Sequence, residues 1–230
     1  MNFFKKLAVV ATCAASTSIV PVAGAVEGGH DAVDTPWAAK VLVSGLCSGS
    51  VVAPNWVLTA QHCVGDQQNG TVKLGERAEG DYQIDRVVVH PSGADVALVH
   101  TTEAMPVAPA VLSPVIPSTG HVSQISGWGA GRYPLQQGTA EVIGHYDDND
   151  GRGNAKMFVT RGIVGNQEPG DSGGPFHDGR LVYGVISAVG GKDEEGHIAA
   201  NYTAVAPILP WVYGTIALPS QISTGSLGSV

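Results

Sequence analysis

Charge is scarce in this chain, and positive charge is scarcest. Only 14% of the 230 residues are charged, and 12 basic residues face 20 acidic ones, for a formal net charge of −8. A surface of that sign keeps a protein soluble and disfavours nucleic acid or an anionic membrane as partner. After the first 25 residues no apolar run is long enough to span a bilayer. Cysteine occurs three times in all, and aromatic rings make up 6%. There is no βαβ alternation and no internal repeat, which argues against a parallel-sheet or solenoid design.

Glycine, with 31 residues, and proline, with 14, are plentiful in a chain that is 43% hydrophobic. This combination points to many short strands broken by turns. Runs such as "AAKVLV", "GSVVAPNWVLTA", "YQIDRVVVH", "DVALVH", "VSQISGWG", "GTAEVIGHY", "KMFVTRG" and "RLVYGVISAV" carry the β-branched pattern of strands. The Pro-rich piece from Met105 to Gly120 fits a connector between two halves of similar size, about 26–112 and about 113–217. One helix is expected in "APILPWVYGTIA". Residues 218–230, Ser/Gly-rich and uncharged, read as a flexible tail.

Residues 1–25 read as a secretory signal peptide. Lys5 and Lys6 give the positive start, Leu7 to Ala15 the apolar core, and Ala23-Gly24-Ala25 an A-x-A cleavage site. Its removal takes the formal charge from −8 to −10. The expected location is therefore secreted and extracellular, off the membrane once the signal is cut. Cys13 goes with the signal, and the remaining pair, Cys47 and Cys63, is most simply a disulfide in an exported protein.

Two stretches carry chemistry. In "EPGDSGGP", Glu168 to Pro175, a serine sits between an acid and two glycines, a pattern incompatible with a regular element. It is either a tight surface turn or a nucleophile at a sharp bend, where the N–H groups of Gly170 and Ser172 converge as an oxyanion hole. A serine hydroxyl needs a base. Of the eight histidines, His62 in "VLTAQHC" follows an apolar strand and adjoins Cys63. A Cys47–Cys63 bridge would close a loop of 16 residues, worth roughly 3 kcal/mol by loop-closure entropy. The base in turn needs an acceptor. Asp95 in "PSGADVALVH" opens an apolar strand, while Asp81 and Asp85 are alternatives on charge alone.

"LTAQHC", "ADVALV" and "GDSGGP", in the order His, Asp, Ser, resemble the trypsin/chymotrypsin family of serine proteases over essentially all of Val26 to Ala217. "VKLGE", "HP" at His90-Pro91, "SGWG" and "PLQ" are lesser echoes, and "NQEPGDSGG" resembles the secreted bacterial branch. The resemblance implies an all-β fold of two antiparallel six-stranded barrels, with the active site between them and a short closing helix near Trp211. It implies a triad of His62, Asp95 and Ser172, an oxyanion hole of Gly170 and Ser172, and Ser187 beside the aspartate. Ala188 and Val189 would offer backbone groups to an extended substrate. The implied partners are polypeptide substrates of a monomeric enzyme with no cofactor. A catalytically silent binding or adhesion protein and an esterase are the competing functions.

The specificity pocket reads two ways. Counting back without a gap puts Asn166 at its floor, and a two-residue insertion at Glu168-Pro169 would put Val164 there. Neither is acidic, so small or apolar side chains are expected at the cut. Glu76 and Glu79 stand where some family members bind calcium, and "DDNDGRG" from Asp147 is acidic, but both read as solvated turns and no metal is expected. The family's mature chain starts with Ile or Val, a residue, and two glycines. "VEGG" at Val26 matches that start directly after the A-x-A site. The resemblance thus implies an ion pair between the Val26 amino group and Asp171, formed without a propeptide.

Overall fold

β-Branched and aromatic residues at alternate positions give most of this chain one face to bury, and those segments form strands. The structure is a computed structural model and describes residues 26–148 and 155–217. The expected signal peptide, the expected tail and most of the "DDNDGRG" loop lie outside the described residues.

The first barrel uses β2 (Ala38–Leu42), β3 (Leu46–Ala53), β4 (Trp56–Thr59), β5 (Gly70–Leu74), β6 (Glu79–Val89) and β7 (Ala97–Thr101). They close in the order β2-β3-β4-β7-β6-β5, every neighbour antiparallel. The second uses β9 (Val122–Gly127), β10 (Gln136–Asp148), β11 (Ala155–Val164), β12 (Pro175–Asp178), β13 (Leu181–Lys192) and β14 (Ile198–Ala204). The pairing of β10 with β9 closes this ring too. Closure satisfies the backbone hydrogen bonds that an open sheet edge would leave to solvent. The fold is thus two closed six-stranded antiparallel barrels with one short helix, α1 (Leu209–Ala217).

Two short strands refine the expected halves. β1 (His30–Asp31) pairs with β10, and β8 (Val111–Leu112) runs parallel to the start of β13. Residues before β2 and within the connector therefore hydrogen-bond to the second barrel, because the starts of β10 and β13 run past one of their neighbours and leave backbone groups free there.

The interior of the second barrel is aromatic. Phe158 stacks on Tyr202 at 5.2 Å between centroids, with Phe176 5.4 Å from Phe158. All three are fully buried, so Phe158→Ala would cost about 3–5 kcal/mol. The first barrel is filled by smaller aliphatic side chains, among them Val41, Val57, Leu58, Val72 and Leu98. Its apolar cluster continues through Val182, Val185, Val205, Ile208 and Val212, and so joins the second barrel and α1 to the first.

Candidate active site

Strand register brings the candidate residues together. In the first barrel Thr59, the last residue of β4, pairs with Ala97, the first of β7. The chain leaving Thr59 and the chain entering Ala97 therefore emerge at one place. His62 sits on a 3-10 turn, Gln61–Cys63, and Asp95 lies two residues before β7. In the second barrel Pro175 pairs with Val185, so Ser172 and Ser187 emerge together as well.

The first pair is closely engaged. His62 Nδ1 lies 2.8 Å from Asp95 Oδ2, and the His62 backbone N–H donates to Asp95 Oδ1 at 2.9 Å. The Ser187 hydroxyl donates to Asp95 Oδ2 at 2.6 Å, reaching across from the second barrel. Burial would raise the Asp95 carboxyl, but the hydrogen bonds from the His62 ring, the Ser187 hydroxyl and the His62 amide outweigh it and hold it below the usual range. The hydrogen bond to Asp95 raises His62 above an ordinary imidazole; burial opposes this and the aspartate charge adds to it. With Nδ1–H given to Asp95, Nε2 is left as the basic nitrogen. Asp81 and Asp85, the alternatives on charge, bind Lys73 and His100 instead. The expected disulfide is present: Cys47 and Cys63 are joined, with Cα atoms 6.0 Å apart, which anchors the turn carrying His62.

Ser172 occupies the bend between β11 and β12. Gly173 has φ +79°, and a Cβ there would collide with Thr59 Oγ1 and the Ser48 carbonyl. Only glycine lets this bend lie so close to the segment that leads into His62. Gly173 N–H donates to Ile186 O at 2.9 Å, which sets the bend beside Ser187. Among the described residues the Ser172 hydroxyl has no hydrogen-bond partner, and neither the Gly170 nor the Ser172 N–H donates to a protein acceptor. Catalytic hydrogen bonds are commonly loose before substrate binds.

Beneath the bend Asp171 is 2% exposed. Its carboxylate accepts N–H bonds from Gly129 at 2.7 Å and Glu168 at 2.8 Å, and a long one from Val26 at 3.4 Å. Burial pushes its carboxyl up to about 6; the three N–H groups oppose that shift and the Glu168 charge adds to it. Val26 is fully buried and has φ +45°, a strained backbone for a β-branched residue. A Cβ on Gly127 would strike the Asp171 carboxylate, so the close approach depends on glycine.

The two residues expected at the pocket floor lie in different settings. Asn166 commits its side chain to a neighbouring loop: Oδ1 accepts from Ile198 N–H at 2.8 Å and Nδ2 donates to Gly196 O at 3.1 Å. Val164, at the end of β11, is 44% exposed. The buried residue of this segment is Gln167, 2% exposed, which donates to the Tyr202 hydroxyl at 2.8 Å while its Oε1 lacks a partner. Sequence reasoning passed over it because nothing marks one polar loop residue as the one that turns inward. Ala188 and Val189 lie on the part of β13 that β14 covers on one side only, since β12 pairs no further than Val185. That open edge can accept an extended peptide as an added strand. A cavity of about 760 Å³ lies beside it, lined in part by His62, Asp95, Ser187, Ala188 and Tyr146.

Of the two glutamates weighed for calcium, Glu76 has protein partners. Glu76 accepts the Thr35 N–H at 2.5 Å and its hydroxyl at 3.0 Å. The exposed run Asp193-Glu194-Glu195 is tied back through Asp193, which accepts His197 N–H at 2.7 Å. Among the described residues no helix is long and apolar enough to cross a membrane.

Two closed antiparallel barrels, with His62, Asp95 and Ser187 joined by hydrogen bonds where they meet, have the architecture of the chymotrypsin-like class of hydrolases. The trypsin family model matches residues 26–212, and the chain belongs to that family. It is 30% identical to human chymotrypsin-like elastase family member 3B, over 84% of this chain and 89% of that protein. It is likewise 30% identical to proproteinase E of Bos taurus, over 84% of this chain and 95% of that one. Rat vitamin K-dependent protein C is 27% identical, and the chain spans 49% of its length. By these relationships it is a serine endopeptidase. Mouse neuropsin, described as a serine protease, shares the fold with a TM-score of 0.70 at 23% identity, covering 82% of this chain and 98% of that one. A scabies mite inactivated protease paralogue shares it too, at 0.69 and 20%, covering 83% and 99%. The relatives named here are animal proteins and give no support to the expected kinship with the secreted bacterial branch.

Proposed function

We propose that this chain is a secreted endopeptidase that cleaves polypeptides through Ser172, His62 and Asp95, by way of an acyl-enzyme. The observation that carries this reading is the His62–Asp95–Ser187 network facing a bend whose two amides have no protein acceptor. His62 Nε2 takes the Ser172 proton as Oγ attacks the scissile carbonyl carbon, and the oxyanion falls to the N–H groups of Gly170 and Ser172. His62 then passes the proton to the leaving amine, which departs as the acyl-serine forms. Water, deprotonated by His62, attacks that ester; its proton returns to Ser172 as the acid product leaves. Asp95 stays ionised throughout and stabilises the imidazolium. Asn166, Val164 and Gln167 are all uncharged, which favours small or apolar side chains at the cut, and two relatives bear the names of an elastase and a proteinase E.

The same reading gives the chain start a role. Cutting before Val26 would turn its amide into an ammonium beside Asp171 and supply the positive charge that this buried carboxyl lacks. It would also end the strain at φ, which exists only while a residue precedes Val26. The Asp171 ion pair would then steady the bend that presents Gly170 and Ser172. Because signal cleavage after Ala25 would expose Val26, no propeptide is required.

Labelling by a fluorophosphonate, with Ser172→Ala as control, tests the nucleophile. Wild type should label, and the variant should lose labelling and about 10⁶-fold in kcat. Folded wild-type protein that does not label would favour the silent alternative. Labelling without cleavage of any polypeptide would favour the esterase.

A further inference from the structure

Ser48 is the third residue of β3, directly after Cys47, and it was not among the expected site residues. It is 2% exposed. Its hydroxyl donates to Gly170 O at 2.9 Å and accepts from Trp128 N–H at 2.9 Å. Its own N–H donates to Ser172 O at 2.8 Å. One residue of the first barrel thus holds the carbonyls on either side of the Ser172 amide.

We propose that Ser48 is a positioning residue for the oxyanion hole, acting through its hydroxyl on Gly170. The proposal rests on the protease reading above. The bond from the Ser48 hydroxyl fixes the plane of the peptide that follows Gly170. The bond from its N–H fixes the plane that follows Ser172. Between those two planes lies the Asp171–Ser172 peptide, whose N–H has no protein acceptor. Gly170 has φ +106° and no side chain, so little intrinsic preference holds its peptides in one orientation. The Gly170 N–H lies in the preceding peptide, which Ala130 N–H holds through Pro169 O at 2.8 Å; a rotation of the peptide that follows Gly170 would instead tilt the next one and swing the Ser172 N–H away from a developing oxyanion. The hydroxyl bridge from Trp128 to Gly170 opposes that rotation from a buried site that bulk water does not reach. Ser48 is joined in sequence to Cys47, so the bridge that anchors the His62 turn also anchors this contact. Ser48 touches no reacting atom; it acts on groups that do.

The test uses the full chain processed as in the wild type, with Ser48→Ala, Ser48→Gly and Ser48→Thr. Active-site titration with a fluorophosphonate counts competent molecules, so kcat is expressed per titrated site. Removing one oxyanion donor outright costs about 10²–10³-fold, so loosening one should lower kcat per site about tenfold to a hundredfold. KM should stay within about twofold. The affinity for a peptide boronate, which forms a tetrahedral adduct, should fall by the same factor as kcat. Ser48→Thr, which keeps the hydroxyl, should restore most of the rate. Ser48→Gly keeps the backbone bond and avoids an apolar methyl, and so covers the case in which Ser48→Ala folds poorly. If Ala and Gly variants keep wild-type kcat per site while only Tm or the number of sites falls, Ser48 is structural and the proposal is overturned. If the wild type itself does not label, the protease reading fails and this inference with it, an outcome visible before any Ser48 variant is made.

Discussion

The two barrels hold their catalytic loops by different means. The first fixes the His62 turn covalently, through Cys47–Cys63, and locks Asp95 to the His62 ring and amide. The second has no cross-link among its described residues and holds the Ser172 bend around one buried carboxylate, Asp171. A covalent clamp is indifferent to pH within the range of ordinary enzymes. A buried carboxylate is not, and its third contact is to Val26, at the far end of the described chain. On the proposed mechanism the base is ready on folding, while the oxyanion side would depend on charge and on how the chain begins.

Short of removing the nucleophile itself, the largest expected effect tests the first barrel. Asp95→Asn should lower kcat by about 10⁴-fold with the fold intact. Because Asp95 raises His62 above 6.5, activity in the wild type should climb with pH through a value above 6.5 as the imidazole loses its proton. The variant's residual activity should climb at a lower pH; an unmoved acid limb would contradict the assignment of His62 as base.

Next in size is the second barrel's dependence on its chain start. Leaving extra residues ahead of Val26 should cost about 10²-fold in kcat or more, as if an oxyanion donor were lost. Pairing with Asp171 would raise the amino group above its unpaired value of roughly 8, so its contribution would be complete below that value and lost as pH rises through the raised one. Wild-type activity should therefore fall at alkaline pH. A blocked amino terminus with full activity would remove the supposed contrast between the barrels.

Replacing Cys47 and Cys63 together by serine should cost about 3 kcal/mol in denaturant unfolding. Hydrogen exchange should rise first around β3 and the His62 turn, not around Phe158. The smallest effect belongs to acid. His177 is fully buried, its ring held by Ser126 Oγ at 2.8 Å and Gly179 O at 2.7 Å. Burial pushes its pKa down to about 4. Between about 4 and the ordinary 6.5 the unfolded chain binds a proton that the folded one refuses, so stability should decline as pH falls through that window. His177→Gln should flatten the decline in thermal melts recorded across it.

Most of the strands were legible because β-branched residues announce them, and the three triad candidates stood out because each sits in a short distinctive motif. β14, "IAANYTA", was not: alanine and asparagine have little β preference, and its state is imposed by β11 and β13 on either side. β12 was hidden behind Pro175. Ser48 stands in "CSGS", which reads as a turn, and its partners lie 80 and 122 residues away. Gln167 was equally silent. Motifs record which groups react, whereas the groups that orient them are chosen by three-dimensional proximity and leave no local signature.

The hydroxyl of Ser187 meets Asp95 at 2.6 Å, and each belongs to a different barrel. Catalysis is therefore a property of a seam. On the proposed mechanism neither half owns a working set of groups, and a slip of an ångström between them would part Ser187 from Asp95, and Ser172 from the base it needs, while both cores stayed folded. Activity in this molecule reports how the halves are docked, and it should disappear at a milder insult than the one that melts either half.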